Sequence, residues 1–155
     1  MKKIIITLIF AILFVNVTSK VSAQCKQQLV YQCATQTNKA IYLRDFNTKL
    51  KRDKESEETG TKWTVVLNKG TNYRFTLCAP DGVQDKVVLT LYDSDHPENK
   101  PYGSTFHNET KTDLKYFDFI CAKSGMYYVS IRFKDGVGDK KTCAVGILSF
   151  IGKNK

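Results

Sequence analysis

Two β-rich runs, Lys115-Tyr-Phe-Asp-Phe-Ile-Cys121 and Gly125-Met-Tyr-Tyr-Val-Ser-Ile-Arg-Phe133, are separated only by Ala122-Lys-Ser124. Runs linked this closely predict a hairpin, with Phe117, Phe119 and Cys121 on one face of the first strand and Tyr127, Val129, Ile131 and Phe133 on one face of the second. Comparable runs recur on both sides. Lys62–Asn68 aligns Trp63, Val65 and Leu67, and Asn72–Cys78 aligns Tyr73, Phe75 and Leu77; Asn68-Lys-Gly70 between them predicts a second hairpin. Val87, Leu89 and Leu91 form a further stripe, and Ala40–Leu50 and Thr142–Phe150 supply a first and a last strand. Tyr102–Glu109, with Gly103 and His107, reads as a weaker strand near an edge. Short strands at this spacing give an all-β fold: an eight-stranded antiparallel jelly-roll-like β-sandwich over residues 40–155.

The first residues read differently. Met1-Lys2-Lys3 precedes the apolar run Ile4–Val15, and Val21-Ser-Ala23 places small residues where a signal peptidase reads them. Residues 1–23 are therefore expected to be a signal peptide. The run is shorter than a membrane span, and no second one follows, so no transmembrane segment is expected in the mature chain. Residues 24–39 form an N-terminal segment in which Cys25–Thr37 carries Leu29, Val30, Cys33 and Ala34 at helical spacing without Gly or Pro, which predicts a short N-terminal helix that packs on the sandwich or covers one of its ends.

Loss of Lys2, Lys3 and Lys20 with the signal lowers the formal charge from +9 to +6. The densest basic run, Lys49-Leu-Lys-Arg-Asp-Lys54, leads directly into Glu55-Ser-Glu-Glu58. A nucleic-acid footprint keeps one sign, so no nucleic-acid partner is expected.

All five cysteines follow the expected cleavage site, and export favours disulfides. In a jelly roll the Cys78 strand lies antiparallel between the Cys121 and Cys143 strands. Cys78 ends its strand and Cys143 starts its own, which predicts a Cys78–Cys143 bridge. Cys121 is expected at the opposite end of the sheet, with Cys33 as its candidate partner.

The period of two assigns Trp63, Phe75, Phe117, Phe119 and Phe133 to the core. It leaves Tyr92, Tyr102, Tyr116 and Tyr128 outward on a sheet or at loops, with Arg132 beside the last two. These five are the candidate ligand-binding residues. Asp93, Asp95 and Glu98, with Asp81 and Asp85 in another loop, are weak calcium candidates. No Asp-x-Asp-x-Asp-Gly loop is present, so turn formation explains them better, and no metal or other cofactor is expected. There is no Gly-x-Ser-x-Gly, His-Glu-x-x-His or phosphate loop, and His96 and His107 lie in polar loop sequence, so no enzyme activity is expected.

The segments Asn68-Lys-Gly-Thr71, Tyr73-Arg-Phe75, Val88-Leu-Thr-Leu-Tyr-Asp93 and Lys123-Ser-Gly-Met-Tyr-Tyr-Val129 follow one another in an order that resembles the bacterial pre-peptidase C-terminal domain. Ser-Gly-x-Tyr-Tyr is the most specific of these motifs. The resemblance covers Trp63–Phe133 and implies a jelly-roll accessory domain of secreted peptidases that helps bind polymeric substrates or assists maturation. The whole chain is also similar to small exported proteins of the Bacteroidetes type. The expected function is a non-catalytic exported binding or accessory module, periplasmic or secreted, engaging a polysaccharide, a protein polymer or an envelope protein partner. The alternative is a structural subunit of a cell-envelope complex.

Overall fold

The computed structural model describes residues 24–51, 60–93, 100–134 and 141–153, with side chains from residue 27 onward. The expected signal peptide and Asp95, His96 and Glu98 lie outside the described residues. One helix, α1 (Gln24–Thr35), precedes the strands β1 (Ile41–Lys51), β2 (Thr61–Leu67), β3 (Thr71–Cys78), β4 (Val87–Tyr92) and β5 (Gly103–Ser104). These are followed by β6 (Phe106–His107), β7 (Thr112–Asp113), β8 (Tyr116–Ile120), β9 (Gly125–Phe133) and β10 (Lys141–Lys153).

Two four-stranded antiparallel sheets, in the orders β1-β10-β3-β8 and β2-β9-β4-β5, face one another, and β6-β7 is a separate ribbon. With β6 and β7 set aside, the eight sandwich strands change sheet at every link except β4 to β5, which pair in one sheet, and this is the strand order of a jelly roll. The single strand expected over Tyr102–Glu109 is divided: Thr105 is turned to the β4 strand, where its Oγ1 accepts from Leu89 N (3.0 Å) and its own N donates to Leu89 O (3.0 Å).

Neither predicted hairpin forms. β2 pairs with β9 while β3 pairs with β10 and β8, and β8 pairs with β3 while β9 pairs with β2 and β4. The links Asn68–Gly70 and Ala122–Ser124 are arches that carry the chain from one sheet to the other. Alternation records only which side of a strand meets the core, and that side is inward in a hairpin and in an arch alike. The arches satisfy each other's backbone: Gly70 N donates to Cys121 O (2.8 Å), Cys121 N to Thr71 O (3.0 Å), and Lys69 N to Ser124 Oγ (2.8 Å).

The core between the sheets takes Phe46, Leu50, Leu67, Phe75, Leu77, Leu89, Leu91, Val129 and Ile131, each almost fully buried. A buried side chain of this size contributes about 1.5–3 kcal/mol. Phe75 stacks on Phe117, and Phe46 tilts against Trp63 at 5.5 Å. Helix α1 covers the outer face of the first sheet, packing Leu29, Val30 and Cys33 on Val145, Ile147, Cys78 and Cys143.

That packing decides the disulfide. Cys78 follows the inward Leu77 and so points outward, where Cys33 descends from α1; the bridge is Cys33–Cys78, with a Cα–Cα distance of 5.7 Å. The expected Cys78–Cys143 pair is therefore not formed. Both strands do lie side by side as anticipated, but Val145 is the residue opposite Cys78, and Cys143 sits two positions earlier. Cys121 is at the far end of the sheet from Cys78, as expected, yet it is a buried free thiol in the inner core and not a partner of Cys33.

Candidate functional site

The arches, together with the start of β1, the end of β10 and the end of β4, make one end of the sandwich. Strand registers bring exposed apolar side chains to this end. Val66 (70 % exposed) and Met126 (61 %) are direct cross-strand partners on the outer face of the β2-β9-β4-β5 sheet. Ile41 pairs with Phe150, next to the exposed Ile151, and Leu43 occupies the irregularity between Tyr42 and Arg44. Arg44 reaches across from β1 to donate to Thr64 O (3.3 Å), and the Thr48 and Thr61 hydroxyls meet at 2.7 Å further along. These two bridges set β1 beside β2. Ile120 is exposed at the end of β8 on the opposite face.

The aromatic side of the same end is more polar. Tyr102 is half exposed, and its ring meets Phe119 and Tyr127 edge-on at 5.7 and 5.9 Å, closing the gap between β8 and β5. Its hydroxyl donates to Asp93 Oδ2 (3.2 Å), and the negative charge of Asp93 raises the Tyr102 pKa. Tyr127 is buried beneath it and donates to Lys123 O (2.8 Å). Burial, reinforced by the neighbouring Cys121 thiol, pushes the Tyr127 hydroxyl up to about 12. On β1 the Tyr42 hydroxyl donates to Asp45 Oδ1 (2.6 Å), and that bond raises the Tyr42 pKa.

The five candidate binding residues do not form one surface. Tyr116 is on the outer face of the first sheet, where the Arg74 guanidinium covers its ring at 4.0 Å. Arg74 also forks Asp118 (2.7 and 2.8 Å) and donates to Thr37 O (3.3 Å), fastening the chain after α1 to the sheet. Tyr128 and Arg132 are on the outer face of the other sheet, on the opposite side of the molecule. The cause is the arch: reversal within a hairpin would have kept all three on one face. Tyr92 is the cross-strand partner of Tyr128 but is only 8 % exposed. Tyr92, the last residue of β4, and Tyr102 belong to the arch end, and Tyr128 lies two residues from Met126 on the same outer face.

Sequence reasoning passed over Val66, Met126 and Ile120, whose signal was present as large apolar residues on the polar phase of otherwise alternating strands. Ile41 and Leu43, which the alternation with Tyr42 and Arg44 had set on the apolar side of the first strand, are exposed, because the phase shifts at the irregularity between Tyr42 and Arg44. Among the described residues, no group of three or more His, Cys, Asp or Glu side chains gathers as a metal site would. An open groove of about 270 Å³ lies between α1 and Ala79-Pro-Asp81, lined by Gln28, Leu29 and Gln32. No helix among the described residues is long and apolar enough to cross a membrane.

No protein-family model matches this chain, and no curated protein matches it. Among solved structures it is similar to the crystal structure of Aeromonas hydrophila PliG, a periplasmic lysozyme inhibitor of g-type lysozyme. The two share 8 % sequence identity with a TM-score of 0.54, over 74 % of this chain and 90 % of that one. The likeness is one of fold.

Proposed function

We propose that this protein is an exported, non-catalytic β-sandwich module that binds a protein partner through its arch end. The observation that carries the proposal is the exposed Val66–Met126 pair, with Ile41, Leu43 and Ile151 as further exposed apolar side chains at the same end of the sandwich. Soluble monomers seldom expose clustered apolar side chains unless something docks there. A jelly roll also suits the role, because it holds such a surface on strands that the core keeps rigid. Export is supported by the Cys33–Cys78 bridge, which persists in oxidising compartments, and by the basic and apolar N-terminal sequence. The resemblance to pre-peptidase C-terminal domains fits the same accessory role, as does the similar fold of an inhibitor that acts on a protein.

The test is retention of a partner from envelope extract by the wild type and by a Val66→Asp/Met126→Asp double variant. One stoichiometric protein held by the wild type and lost from the variant is expected. Retention on insoluble polysaccharide, unchanged in the variant, would return the polymer reading instead. Cell-wall lysis by a g-type lysozyme, with and without added protein, is the first assay of a defined partner.

A further inference from the structure

We infer that the partner's docking surface is acidic around an apolar centre. This rests on the protein-binding reading above and specifies the chemistry of the surface engaged. Lys69 and Lys123 stand exposed on the two arches, and the Lys69 N–H···Ser124 Oγ bond (2.8 Å) holds those arches together. Lys153 is exposed where β10 ends against Thr71, and Lys39 and Lys100 are exposed just before β1 and β5.

The described acids of this end are engaged within the chain. Asp45 accepts from Tyr42, Asp93 from Tyr102, and Asp118 is forked by Arg74. Among the described residues this end thus presents exposed apolar side chains flanked by ammonium groups, and its electrostatic complement is an apolar patch flanked by carboxylates.

A membrane surface fits this arrangement less well. The arch tips, Asn68-Lys-Gly70 and Ala122-Lys-Ser124, are mostly polar, while Val66, Met126 and Ile120 stand behind them on the strands. An inserting end would carry its apolar side chains at the tips. A second copy of the chain fits poorly too, since it would bring two basic rims together.

The experiment places a photoreactive benzophenone amino acid at Met126 of the exported chain in its own cells. The same group at Asn108, exposed in the turn of the β6-β7 ribbon at the other end, is the control. Adducts are mapped by mass spectrometry at increasing ionic strength, and vesicles of phosphatidylglycerol and phosphatidylcholine are tested by flotation. The expected result is an adduct specific to Met126, in a partner segment of net negative charge. Its yield should fall about tenfold between about 50 and 500 mM salt, and Lys69→Glu/Lys123→Glu should lower it comparably at the low salt.

An adduct to a neutral or basic segment, insensitive to salt, overturns the acidic surface and leaves protein binding standing. An adduct to a second copy, or flotation with the anionic vesicles that Lys69→Glu/Lys123→Glu abolishes, overturns it in favour of those occupants. Labelling at Met126 no greater than at Asn108 overturns both this inference and the protein-binding reading.

Discussion

Gly103 on β5 lies flat against the ring of Phe117 on β8, so close that a Cβ at Gly103 would stand 2.3 Å from Phe117 Cε2. Phe117 has nowhere to retreat, because its other face stacks on Phe75 at 5.2 Å with 16° between the planes. The missing side chain is what lets the short edge strand seal the open side of the sandwich.

Gly103→Ala is accordingly expected to destabilise the fold by about 1–3 kcal/mol, the usual cost of overpacking a filled core. Gly125→Ala is the contrast: nothing lies within 4 Å of its added Cβ. It should change stability by less than about 0.5 kcal/mol. Urea unfolding of both variants measures the difference, and equal midpoints would refute the contact's role.

Much of this architecture could be read from the chain. Strand positions, the inward stripes and the neighbours of the Cys78 strand all follow from a period of two and the strand order. What alternation could not distinguish was Asn68–Gly70 and Ala122–Ser124 as arches, because pairing partners are fixed by long-range contacts such as Gly70 N to Cys121 O. One topological difference then moved Tyr116 to the opposite face from Tyr128 and Arg132. The disulfide was missed for a related reason: the outward phase of Cys78 was legible beside Leu77, but the position of α1 over that face is a tertiary fact. The exposed apolar residues at the arch end were legible as breaks in the alternation, and their clustering became visible only with the register.

The Cys33–Cys78 bridge closes a loop with a sequence separation of 45. Chain entropy for a loop of that size corresponds to about 4 kcal/mol at room temperature, within the ordinary range of about 2–5 kcal/mol for removing a native disulfide. Cys33→Ser/Cys78→Ser should lower the unfolding free energy by that order while the β-sheet circular dichroism persists. Non-reduced peptide mapping should return the Cys33–Cys78 link, and a Cys78–Cys143 link would contradict the helix placement.

Tyr127 makes the fold sensitive to strong alkali. Its pKa is raised from 10.0 to about 12 in the folded protein, chiefly by burial, so the folded state favours the neutral phenol. The resulting stability is fully present below pH 10.0 and is lost as pH rises through about 12, where the folded group also ionises. Ultraviolet titration of the native protein should show one phenol ionising near that upper value and absent from Tyr127→Phe. A Tyr127→Phe protein whose stability falls just as steeply over this interval would remove Tyr127 as the cause.

The Arg74 guanidinium on β3 reaches two other pieces of the chain: β8, through Asp118 and the Tyr116 ring, and Thr37 O after the helix. Its side chain is 12 % exposed and that of Asp118 is 39 % exposed, so the ion pair is partly screened and the planar contacts matter more than charge alone. Lysine keeps the charge but loses the two-pronged fit and the flat stack. Arg74→Lys should therefore cost about 1–2 kcal/mol, more than the roughly 0.5–1 kcal/mol expected for Asp118→Asn, which leaves the stack and the bond to Thr37 in place. Hydrogen exchange locates the loss: the Ala40 N–H, which donates to Thr37 O at 3.2 Å, should exchange faster in Arg74→Lys. Amides of the distant β2–β9 pair should change only with global stability. Uniform acceleration across both regions would mean that Arg74 acts through the whole fold and not as the pin between the helix and the first sheet.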